Sequence, residues 1–158
     1  MADRLIAETG RGNTIVINTG DTLFQTGELE LEDKKAEIGK DRCMECHEET
    51  VVSWAKTAHA RALDSLIRKG KEYDPQCLPC HVTGMNDKSH GGGFLSLNLT
   101  PHMVNVQCEQ CHGPGGLHAQ KPENASARLS GAQTCLSCHT KDTDPGFSYQ
   151  KKQKTGIH

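Results

Sequence analysis

All eight cysteines of this 158-residue chain fall in Cys-x-x-Cys pairs, and each pair is followed at once by a histidine. The four copies are Cys43-Met44-Glu45-Cys46-His47, Cys77-Leu78-Pro79-Cys80-His81, Cys108-Glu109-Gln110-Cys111-His112 and Cys135-Leu136-Ser137-Cys138-His139. Zinc ribbons use two such pairs per metal, secreted scaffolds tie eight cysteines into four disulfides, and a lone pair serves thioredoxin-like redox chemistry. None of these needs the histidine. With nine histidines in the chain, four chance placements have a probability on the order of 10⁻⁵.

The pattern that does need the histidine is c-type haem attachment. Two thiols add to two vinyl groups on one porphyrin edge, and the adjoining histidine ligates iron from the proximal side. The sequence therefore predicts four covalent c-type haems, each with its iron. They attach at Cys43 and Cys46, Cys77 and Cys80, Cys108 and Cys111, and Cys135 and Cys138, with His47, His81, His112 and His139 as proximal ligands.

Composition agrees with a cofactor-filled interior. Hydrophobic residues make up 34% and aromatic ones 4%; even with the 16 glycines counted, the apolar share falls a little short of the roughly 45–50% of an ordinary domain. Four flat apolar porphyrins would replace the missing side chains, and the chain without them is expected to be largely unfolded. Net charge is −2, with 18 basic and 20 acidic residues mixed along the chain, so no basic stripe suggests nucleic acid. No stretch approaches the roughly 18 apolar residues of a membrane span. Residues Met1 to Leu5 lack an apolar signal-peptide core, so a chain whose haems are attached outside the cytoplasm is expected to be mature or trimmed.

Five histidines remain as candidates for the second axial position: His59, His90, His102, His118 and His158. Apolar residues at 51, 55, 58, 62 and 66 give a helical period over roughly 48 to 69, ending near Lys69-Gly70, and point His59 inward. His118 follows the reversal Gly113-Pro114-Gly115-Gly116, which brings it back towards the haems. His158 ends the chain, where a bond to iron would hold a tail that otherwise frays. His90 and His102 lie between the second and third motifs, with Met103 a weaker thioether candidate. An iron with no such ligand would be five-coordinate.

The constellation resembles the cytochrome c-554 family of tetrahaem proteins from about Asp41 to the end. The resemblance rests on Cys43 to His47 with the segment Ser53-Trp54-Ala55-Lys56-Thr57-Ala58-His59-Ala60. It rests also on Cys80-His81-Val82 with Gly84, and on Val106-Gln107-Cys108-Glu109-Gln110-Cys111-His112-Gly113-Pro114-Gly115. It implies His118 opposite His47 on the first haem, His59 opposite His112 on the third, and His158 opposite His139 on the fourth. The second haem, at His81, is open in the family's namesake and filled by histidine in other members. Two departures stand out: a shorter C-terminal part and a longer lead before the first motif.

The expected fold is mainly α and irregular, a small multihaem cytochrome c fold built around four covalent haems, with short helices carrying the motifs. Residues 41–158 form the tetrahaem domain. Residues 1–40 form a leader in which 13–18 and 22–24 read as two strands of a short β-hairpin around Thr19-Gly20-Asp21, an arm for packing or for pairing with another subunit. The expected function is electron transfer between redox partner proteins, in the periplasm or outside the cell, with assembly into a conducting filament as a further reading. The alternative is a haem enzyme that reduces nitric oxide, nitrite or hydroxylamine at one five-coordinate iron. No catalytic side chain is assigned.

Overall fold

The computed structural model describes residues 6–8, 14–16, 36–85, 93–123 and 130–155. The chain divides into two compact units, Met1–Glu32 and Asp33–His158. In the first, β1 (Ile6–Glu8) pairs antiparallel with β2 (Thr14–Val16), with Ala7 opposite Ile15. The hairpin expected from 13–18 and 22–24 is not supported. Thr14–Val16 takes its partner from upstream, at Ile6–Glu8, and 22–24 lie outside the described residues.

The second unit is helical and irregular. Its α-helices are α1 (Lys40–Met44), α2 (Glu48–Trp54), α3 (Ala62–Ile67), α4 (Cys108–His112), α5 (Gly116–Gln120), α6 (Ala132–Leu136) and α7 (Tyr149–Thr155). Short 3₁₀ turns cover His59–Arg61, Leu78–Cys80 and Pro101–Met103. Each element is one or two turns long, too short to hold its shape by propensity alone.

The single helix expected over 48 to 69 is broken between α2 and α3. The cause is a set of bonds that outbid continued winding. The Thr57 hydroxyl donates to the Trp54 carbonyl at 2.7 Å, and the Thr57 amide takes the same oxygen at 2.8 Å. Trp54 Nε1 donates to the Val106 carbonyl at 2.9 Å, the Val106 amide donates to the His59 carbonyl at 3.1 Å, and Asn105 Oδ1 accepts the Leu63 amide at 2.9 Å. The chain around residue 105 thus meets the break on both sides. It sets His59 on a half-buried 3₁₀ turn rather than in mid-helix.

The side-chain core is small. Leu63, Leu66, Leu78, Val82, Phe94 and Met103 form its centre, joined by a bridge between Val82 and Val104. Met103 is fully buried there as a packing residue. Large apolar side chains such as Leu95 and Leu99, each 71% exposed, stay outside it. Such a core is thin for a unit this long, as the composition led one to expect.

Candidate haem-attachment site

Each motif forms one helical or 3₁₀ turn. The His47 amide bonds to the Cys43 carbonyl and the His139 amide to the Cys135 carbonyl, each at 2.9 Å. That i to i+4 spacing sets the first thiol and the histidine on one face. All eight cysteines are free thiols, none of them buried. Among the described residues no three His, Cys, Asp or Glu side chains converge as a zinc site requires.

The imidazoles come together in pairs. The rings of His47 and His118 have centroids 6.0 Å apart and planes 21° from parallel. The rings of His59 and His139 are also 6.0 Å apart, crossed at 57°. Two metal–nitrogen bonds of about 2 Å plus roughly 1 Å from each nitrogen to its ring centre give about 6 Å, so each gap suits one metal ion. His118 thus faces His47. The His59 ring lies beside that of His139 in the C-terminal motif. His102 is exposed, its Cδ2 3.6 Å from where a Cβ on Gly39 would sit, and it has no ring partner among the described residues. His90 and His158 lie outside the described residues.

The second ring nitrogens are set as metal binding requires. His81 Nδ1 donates to the Ala62 carbonyl at 2.7 Å, with Ser65 Oγ at 3.3 Å. His139 Nδ1 donates to Asp144 Oδ2 at 2.9 Å, and Phe147 stacks on the ring at 4.3 Å. A carbonyl only accepts, so the His81 proton sits on Nδ1 and Nε2 keeps its lone pair for a metal. Burial first, then the charges of His139 and Lys152, hold the His59 imidazole below its ordinary value, which favours the neutral ligand form.

The thiols pair as well. Cys43 hydrogen-bonds to Cys108, which raises Cys43 and lowers Cys108 to about 7. Cys80 is pushed up to about 11 by burial and then by its bond to Cys138. The first and third motifs therefore meet at their thiols, and so do the second and fourth.

Residues 42–113 match the family described as cytochrome c554 and c-prime. Over 92 residues the chain is 37% identical to cytochrome c-554 of Nitrosomonas europaea, a match covering 49% of this chain and 38% of that protein. The fold is shared with the reduced state of cytochrome c554 from the same organism, at a TM-score of 0.53 and 24% identity. That likeness covers 76% of this chain and 83% of the other. The cytochrome c554 cofactor is haem c with its iron. The paired imidazoles, the free thiols beside them and the thin side-chain core all fit that group.

Several residues that support this site carry no motif of their own. Glu109, inside the third motif and only 4% exposed, accepts the amides of Ile38 (2.9 and 3.0 Å), Gly39 (2.7 Å) and Gly115 (2.7 Å). Its carboxylate therefore grips both the lead into Cys43 and the turn before His118. Gln107 Oε1 accepts the Lys40 amide, and Gln110 Oε1 accepts the Gly84 amide. Gly113 ends α4 at φ 77, a conformation open to glycine. An acidic residue between two haem cysteines was the available sequence signal for Glu109. Asp144 and Phe147 had none.

Proposed function

We propose that this chain is an electron carrier with four covalent c-type haems, working on the outer side of the cytoplasmic membrane between redox partner proteins. Each haem iron, when bound, takes up or gives up one electron between its ferric and ferrous states. The eight motif cysteines anchor the groups, and His47, His81, His112 and His139 hold the irons from one side. His118 and His59, whose rings face those of His47 and His139, would hold those two irons as second ligands. A site closed by two imidazoles exchanges electrons without exchanging a ligand. The observation that carries this reading is the 6.0 Å spacing of both imidazole pairs. The thiol contacts Cys43–Cys108 and Cys80–Cys138 bring attachment edges together in twos, which keeps transfer distances short.

Export follows from the chemistry of thioether attachment. Among the described residues no helix is long and apolar enough to cross a membrane. Self-association is a finer part of the proposal. A two-stranded ladder such as β1–β2 is marginal alone in water and gains from a partner. Sedimentation of the haem-loaded chain with and without residues 1–32 tests it, loss of assembly on truncation being the expected outcome.

A second reading rests on His81, which has no ring partner among the described residues. An iron open on that side would take a small ligand such as nitric oxide, and reduction of a small nitrogen species would follow. Visible spectra decide between the two. A carrier with every iron closed stays low-spin and ignores carbon monoxide, whereas one open site gives a high-spin fraction near one quarter that binds the gas.

A further inference from the structure

The second ring nitrogens of two proximal histidines are held differently. His81 Nδ1 donates to neutral partners, the Ala62 carbonyl and Ser65 Oγ. His139 Nδ1 donates to the carboxylate of Asp144 at 2.9 Å, while Phe147 lies over the ring at 4.3 Å and 13° and fixes its plane. The partner of a metal-bound imidazole sets both its orientation and its basicity. A carboxylate makes a charge-assisted bond and draws the Nδ1 proton further than a carbonyl does. Nε2 becomes more electron-rich, which favours the ferric over the ferrous iron. The two sites are neighbours, because Cys80 and Cys138 hydrogen-bond to each other.

We infer that Asp144 is a tuning residue that holds the haem site at His139 at a lower potential than the adjoining site at His81. The chain thereby has a built-in downhill step between its second and fourth motifs. This inference rests on the haem reading given above. One opposing charge is present: Lys152 acts on His59, the ligand facing His139, and a cation favours the ferrous state. Lys152 is exposed and acts partly through water, where such effects are screened within about 10 Å. Asp144 is bonded to the ring itself, so its effect wins. Its 42% exposure tempers that effect, which is expected at about the tenfold end of the range for such partners.

The test is a redox titration of the haem-loaded protein, followed optically and by ferric EPR, for the wild type, Asp144→Asn, Asp144→Glu and Lys152→Gln. Asparagine keeps an acceptor in place and removes only the charge. In Asp144→Asn one couple should lose about tenfold of its ferric preference, a rise of about 59 mV for a one-electron couple. It should be the couple whose EPR signal belongs to the crossed His59–His139 pair. Asp144→Glu should stay near the wild type, and Lys152→Gln should move the same couple less and downward. Unmoved couples in Asp144→Asn, or a shift confined to another signal, would overturn the assignment, since support of the ring alone survives that change. Should Asp144→Asn fail to accumulate, the wild type decides: the crossed-pair signal must appear at lower potential than that of the His81 site, and the reverse order sinks the inference. Haem content is read separately. Fewer than four haems in the wild type counts against the haem reading, whereas a full count with unmoved couples overturns the role of Asp144 alone.

Discussion

The imidazole of His59, on a short turn early in the chain, stands 6.0 Å from that of His139 in the last motif. Their separation of 80 positions makes this a closure between the two ends of the haem-binding unit. The 57° crossing of their planes distinguishes it from the near-parallel pair of His47 and His118.

Removing one member of each pair should open one iron each. His59→Leu and His118→Leu are expected to convert one haem apiece from low-spin to high-spin and to create one carbon monoxide site. The sites should be independent, so the double variant shows both. Gas titration of the reduced proteins checks this. A His59→Leu protein that stays fully low-spin would separate His59 from iron.

The two ring angles predict two kinds of ferric EPR signal. A pair only 21° from parallel gives a rhombic low-spin spectrum, and a pair crossed at 57° gives a more anisotropic one. His118→Leu should remove the first and His59→Leu the second. Loss of the same signal in both variants would contradict the pairing.

Glu109 ties the first and third motifs together through three amide donors, those of Ile38, Gly39 and Gly115. Each bond from a buried charged group is worth about 1.5–3 kcal/mol, and orphaned amides add a desolvation cost. Glu109→Ala should therefore destabilise the haem-loaded protein by about 4 kcal/mol or more, and Glu109→Gln by roughly half as much. Denaturant unfolding gives the magnitude. The His47–His118 signal should broaden first, because Glu109 holds the backbone leading to both residues.

Much of this site was legible in the sequence, because covalent attachment demands residues next to each other in the chain. Cys43, Cys46 and His47 announce themselves as one local pattern, as do the other three motifs. The return of His118 towards the motifs was legible in the Gly113-Pro114-Gly115 turn. The nearness of His59 to His139 was not. It depends on where α2 stops, and that is decided by Trp54, Asn105 and Val106, residues some 50 positions apart. Helical periodicity across 48 to 69 has no access to those bonds. Glu109 showed only as an acidic residue between two haem cysteines, because its partners Ile38 and Gly39 lie some 70 positions away, and Asp144, though near His139 in the chain, belongs to no motif.

His59 also predicts a pH dependence. Its folded value lies below its ordinary 6.5, with burial the main cause. Below that ordinary value the unfolded chain therefore binds the proton that the folded chain excludes. The stability this residue contributes is present above pH 6.5 and is lost as pH falls through the folded value. Denaturant midpoints should drop as pH falls below 6.5, and His59→Leu should shrink the drop. An equal drop in both proteins would remove His59 from the acid response.

The central claim is that four motifs each hold one covalent haem, and intact-protein mass of the chain matured outside the cytoplasm tests it most directly. The account predicts a mass four haems above that of the bare polypeptide. It also predicts that replacing both cysteines of any one motif by alanine removes a single haem. A mass with no haem added, or paired loss of hydrogens marking disulfides among the same cysteines, would contradict it.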